Sequence, residues 1–93
     1  MDRNKKHDTM KLYITICVNE EHKVVSCNAY KTLNQAVAEL VTEYRTELID
    51  KLSVYKEDSG SISSELGSDG MSAHVTYGDC GYFWEIKETE IPD

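Results

Sequence analysis

The chain has 93 residues and a mass of 10.6 kDa, the size of one domain. Hydrophobic residues make up 40% and charged residues 29%, a balance that supports a packed core rather than a disordered chain. Ten Lys and Arg against 17 Asp and Glu leave a net charge of −7, the wrong sign for gripping a phosphate backbone, and no apolar run approaches the ~20 residues of a membrane helix.

The first ten residues, MDRNKKHDTM, are polar and lack the apolar stretch of a secretory signal. Cys17, Cys27 and Cys80 are an odd set without CxxC spacing, which together with that polar start predicts reduced thiols in a cytoplasm. Met10 opens a run that reads as a natural first strand, so either Met1 or Met10 fits as the native start. Residues 1–9 are expected to form a mobile segment and 10–93 a single domain. The short segment holds three basic and two acidic residues, so the acidity belongs to the domain.

In KLYITICV (11–18), Leu12, Ile14, Ile16 and Val18 alternate with Lys11, Tyr13, Thr15 and Cys17, the period of a strand with one buried face. Asn19-Glu20-Glu21-His22 is a polar break of hairpin length, and Lys23 to Tyr30 reads as the second strand. If Val18 pairs with Lys23, Cys27 stands opposite Ile14, and Cys17 points to the other side. Thr32-x-x-Gln35 has the form of a capping box before Leu33, Val37, Leu40, Val41, Tyr44, Leu48 and Leu52, with Ala36 and Ile49 alongside. That spacing predicts one helix over about Leu33 to Leu52.

Residues 56–70, KEDSGSISSELGSDG, are rich in Ser, Gly and acid, and predict a long surface loop with a brief turn at Ile62 to Leu66. Ala73, Val75 and Tyr77, then Tyr82, Trp84 and Ile86, alternate on either side of Gly78-Asp79-Cys80-Gly81, which predicts a second hairpin. Little structure is expected after Glu90. The predicted fold is α+β, in the order β-β-α-β-β: a four-stranded antiparallel sheet with one long helix on one face. Leu12, Ile14, Ile16, Val75, Tyr77, Tyr82, Trp84 and Ile86 are expected under the helix. Tyr13, Thr15, Cys17, Thr76 and Phe83 are expected on the open face, so a monomer or a weak homodimer through that face or an edge fits.

Nucleophilic catalysis needs a Cys or Ser beside a His and an orienting acid. Cys80 with His74 and Cys17 with His22 are the candidates by residue type, but neither pair sits in a local signature, and the chain reads as a non-enzyme. A structural zinc would draw on Cys17, Cys27, Cys80, His22 and His74, whose spacings match no finger or knuckle. No GxGxxG or GxxxxGK[ST] cradle occurs, and no cofactor is expected.

The charge pattern is the feature that points to a partner. Glu39, Glu43 and Glu47 recur at four-residue steps along the helix, expected off its apolar stripe, with Asp50 further round. Glu57, Asp58, Glu65 and Asp69 follow, with no basic residue between Glu57 and Gly70. These eight residues define an expected acidic surface for a protein with a basic surface, where the summed field steers association and selects the partner.

A short acidic domain of this order, beginning MKLYITI and ending in AHVTYGDCGYFWEI, resembles the small accessory proteins of phages and mobile elements, anti-CRISPR proteins among them. The resemblance implies a non-enzymatic inhibitor that occupies the nucleic-acid-binding surface of an enzyme such as a CRISPR effector nuclease, in the host cytoplasm. An antitoxin-like or immunity-like binding module, or a small zinc-stapled structural domain, are the alternative readings.

Overall fold

A computed structural model describes residues 9–92; the expectations for residues 1–8 and for the native start lie outside the described residues. Five strands and one helix follow in order: β1 (Thr9–Asn19), β2 (Val24–Tyr30), α1 (Leu33–Val54), a kinked 3-10 segment (Lys56–Ser61), β3 (Ile62–Leu66), β4 (Ser72–Tyr77) and β5 (Cys80–Pro92). All pairings are antiparallel and the sheet order is β2-β1-β5-β4-β3, so α1 carries the chain from one sheet edge to the other. The fold is α+β with one long helix packed on a five-stranded sheet.

The extra strand is β3, which replaces the loop expected at 56–70. Ile62, Ser64 and Leu66 stand opposite Tyr77, Val75 and Ala73, on the helix side of the sheet. An edge strand needs only one paired side, so two apolar residues and a ladder to β4 hold it despite its serines. β5 is also longer than expected and pairs with β1 all the way from Asn19↔Tyr82 to Thr9↔Pro92. Thr9 is therefore part of β1, and the ends of β1 and β5 run beyond β2 and β4 as a two-stranded arm.

The turns are built by local chemistry. Asn19 Oδ1 accepts from the backbone N–H groups of Glu21 and Lys23 at 2.9 and 3.1 Å, and His22 takes the left-handed conformation at φ 63°. Gly78 has φ 62° in the two-residue β4–β5 turn, the residue demanded at the first central position of a II′ hairpin. At Gly81 a Cβ would stand 2.5 Å from the Val75 carbonyl oxygen, so the close approach of β4 to β5 there requires glycine. The Gly81 N–H donates to Glu20 Oε1 at 3.0 Å, which ties the β1–β2 turn to the start of β5 and lowers the Glu20 pKa.

α1 begins as its sequence predicts: the Gln35 N–H donates to Thr32 Oγ1 at 3.1 Å. Ala36 and Leu40 are fully buried, while Leu33, Val37, Val41, Tyr44 and Leu48 pack beside them, half-buried. The stripe stops there. Ile49 and Leu52 are exposed, and in the next turn Lys51 covers the sheet instead, its Nζ 5.5 Å from the centre of the Tyr82 ring.

The faces of β1 are the reverse of those expected. Thr15 and Cys17 are buried beneath α1, with the Thr15 hydroxyl 3.4 Å from the Ala36 carbonyl oxygen, and Tyr13 packs against the same core. Leu12, Ile14, Ile16 and Val18 therefore line the uncovered face. The cause is the ladder to β5, which sets Cys17 opposite Trp84 and Thr15 opposite Ile86. Residues directly opposite share a face, so burying Trp84, only 3% exposed, brings Cys17 in with it. The β1–β2 register also differs: an irregularity between Cys17 and Val18 places Cys27 opposite Ile16 rather than Ile14, still on the face away from Cys17.

Leu40 has no exposed surface at the centre of the single helix–sheet interface. Replacing it by Ala should lower the unfolding free energy by about 2–5 kcal/mol. A denaturant titration reads this directly, and a cost under about 1 kcal/mol would show that Leu40 is not central.

Candidate functional site

The acidic ladder of α1 does not stand clear of the sheet. Glu39, Glu43 and Glu47 are all half-buried, on the flank of α1 that overhangs β1 and β2. Glu43 Oε1 accepts from Trp84 Nε1 at 3.0 Å, so this carboxylate is the partner of the one buried indole. The expectation that all three glutamates lie off the packing surface fails at Glu43 for this reason.

Between this flank and β2 lies a groove of about 300 Å³, with Glu43, Glu47, Thr42 and Thr46 on the helix wall and Val25 and Ser26 on the β2 wall. Tyr82, Trp84 and Cys17 contribute to its lining from the sheet. Neither Trp84 nor Cys17 was legible as part of such a site, because both read as plain core or open-face positions. The i, i+4 repetition of Thr42 and Thr46 beside Glu43 and Glu47 was the available signal.

Like charge strains the electrostatics of this flank of α1. The Glu39 carboxyl is raised above its ordinary pKa, first by hydrogen bonding to the Glu43 carboxyl, then by burial and by the Glu43 charge. Tyr30, at the end of β2, is raised by burial and then by the charges of Glu39 and Glu43. The Cys17 thiol is pushed up to about 11, by burial first and then by Glu43 and Glu47, so it stays protonated and unreactive at neutral pH. Among the described residues, the ion pairs are Lys11–Glu88, Lys23–Glu21 and Lys87–Glu85, and none reaches the helix glutamates.

The other acidic candidates are dispersed. Asp50 and Glu57 are exposed at and beyond the end of α1. Asp58 serves its own neighbourhood. It accepts from Tyr77 Oη at 2.7 Å and Ser61 Oγ at 3.0 Å, which lower its pKa, and Tyr77 stacks on Tyr55 with ring centroids 3.8 Å apart. Asp69 Oδ1 accepts from the Met71 N–H at 3.0 Å in the β3–β4 turn. Glu65 pairs across from His74 on the sheet face opposite α1. The structure brings Glu39, Glu43 and Glu47 together and leaves these five apart.

The nucleophile and zinc candidates are separated as well. Cys17 is under the helix, Cys27 and His74 are on the opposite sheet face, and His22 and Cys80 belong to the two turn regions. His74 Nε2 lies 3.3 Å from Ser63 Oγ on the neighbouring strand. Among the described residues no group of three or more His, Cys, Asp and Glu could hold a metal ion, and no helix is long and apolar enough to cross a membrane. Comparison with protein-family models, with curated proteins and with solved structures finds no match.

The Glu39–Glu43 contact has a pH signature. A carboxyl with a raised folded-state pKa adds stability at acid pH that is lost as the pH rises through that pKa. Glu39→Gln should therefore raise the thermal midpoint at pH 7, and the gain should shrink as the pH falls and the Glu39 carboxyl takes up its proton. Calorimetry from pH 7 downward checks it; a lower midpoint at pH 7 would show that the Glu39 charge is balanced in the folded state.

Proposed function

We propose that the protein is a non-enzymatic binding module whose helix groove receives basic side chains of a partner, and that the partner is a nucleic-acid-handling enzyme that it inhibits. The observation that carries this reading is the pair Glu43 and Glu47 on the wall of a groove that Tyr82 also lines, with Glu39 hydrogen-bonded to Glu43 one turn earlier on α1. Like charges held this close destabilise a free helix, by a few tenths of a kcal/mol per pair. A guanidinium or ammonium in the groove relieves that repulsion and gains contact with the half-buried Tyr82 ring. The Tyr82 ring already takes a cation from this chain, Lys51 Nζ, 5.5 Å from its centre.

Enzymes that grip a phosphate backbone carry the basic clefts that such a groove complements. Occupying one of these clefts competes with the nucleic acid for the same lysines and arginines. The partner need supply only a protruding basic segment, because the groove is too small to enclose a whole secondary-structure element.

Glu43 must be kept in any test, since Trp84 depends on it. The double variant Glu39→Lys, Glu47→Lys reverses the field and leaves that hydrogen bond in place. Immobilised wild-type protein should retain a basic, nucleic-acid-binding protein from lysate at low salt, released by added nucleic acid, and the double variant should not. Equal retention by a correctly folded double variant, or retention that nucleic acid does not compete with, would overturn the reading.

A further inference from the structure

We propose that the sheet face opposite α1 is the interface of a homodimer in which two copies stack sheet on sheet, with their helices outward. The inversion of β1 places its most apolar side chains, Leu12, Ile14, Ile16 and Val18, on the uncovered side, where Phe83 stands across from Val18 and is 39% exposed. Cys27 and Ala29 extend the surface onto β2, beside Ile16 and Ile14. An antiparallel sheet that leaves one face to water carries polar residues there, whereas β1 turns its more apolar side away from α1.

The area suffices for a second copy. Five strands at ~4.8 Å spacing and about seven residues at ~3.3 Å give a projected face of roughly 550 Å² per copy. Two such faces reach the ~1,000 Å² of total burial that a specific interface needs. A hollow of about 360 Å³ beside Phe83, with Ile16 and Val18 on its apolar wall and Glu65, His74 and Glu85 on its polar wall, gives each copy a recess for the other's side chains.

Charge selects the second copy over an acidic or a basic partner. The middle of the face carries Lys87 and Glu85, paired at 3.5 Å, so this pair traps no net charge, and Glu65 stands opposite His74 at the outer, β3 side of the hollow. The acidic ladder is on the other side of the sheet. Stacked sheets lie ~10 Å apart with the helices outside them, which keeps the two sets of helix glutamates several ~8 Å Debye lengths from each other. A net charge of −7 on each copy is thus compatible with this one mode of self-association.

Sedimentation equilibrium of the full chain should give twice 10.6 kDa at high concentration. Ile16→Lys places a cation beside Glu85, so the fold is retained while the stacked face is disrupted. That variant, and independently Phe83→Ser, should weaken association by roughly tenfold or more. Trp84 fluorescence confirms that each variant is folded. A mixed-isotope NMR sample of unsubstituted protein gives the same answer without a variant, through intermolecular contacts of the Ile14 and Ile16 methyl groups. A monomer at all concentrations, a dimer indifferent to both substitutions, or intermolecular contacts confined to the β2 edge would overturn the proposal.

Discussion

The β1–β5 ladder is the constraint on which the rest of the molecule depends. It joins the first and last strands of the chain over eleven partner positions, and every other strand is attached, directly or through β4, to one of these two. Because side chains alternate, this register decides at once which half of β1 is covered by α1. Trp84 breaks the symmetry between the two choices. Its ring is the largest apolar group available, and its N–H needs an acceptor once buried, which Glu43 supplies across the helix–sheet interface. With Trp84 fixed under the helix, Cys17 and Thr15 must follow, and Leu12, Ile14 and Ile16 must face away.

Much of this architecture was legible locally. The Thr32 cap, the helical spacing from Leu33 to Leu48 and the Gly78-centred hairpin are determined by neighbours a few residues apart, and all three stand in the structure. What could not be read depended on partners far along the chain. The alternation in 11–18 marks a strand but not which face is covered, since that requires Trp84 to be placed opposite Cys17. β3 is held by its ladder to β4 and the apolar pair Ile62 and Leu66, a signal diluted by Ser63 and Ser64. The acidic ladder at 39, 43 and 47 was legible, whereas the indole that recruits Glu43 and the groove beside it were not, because they arise only when β5 lies beneath α1.

The same placement gives the two sides of the sheet different characters. On the α1 side, glutamates are held close together around buried aromatic rings, and the local field is negative. On the other side β1 and Phe83 form an apolar strip, flanked by the Lys87–Glu85 pair and by Glu65 and His74 on the outer strands. Stability and recognition share residues on the α1 side: Glu43 serves the core through Trp84 and the groove through its charge. That double role explains why the ladder tolerates a raised Glu39 pKa, since removing the repulsion by removing Glu43 would leave a buried indole N–H without its acceptor.

A NOESY spectrum of methyl-labelled protein tests the inversion of β1 most directly. Cross-peaks should link the Thr15 methyl to the side chains of Ala36 and Leu40, and Val18 to Phe83, with none between Ile14 or Ile16 and the helix. Cross-peaks from Ile14 and Ile16 to Leu40, with Thr15 free of helix contacts, would contradict the inversion and everything that follows from it.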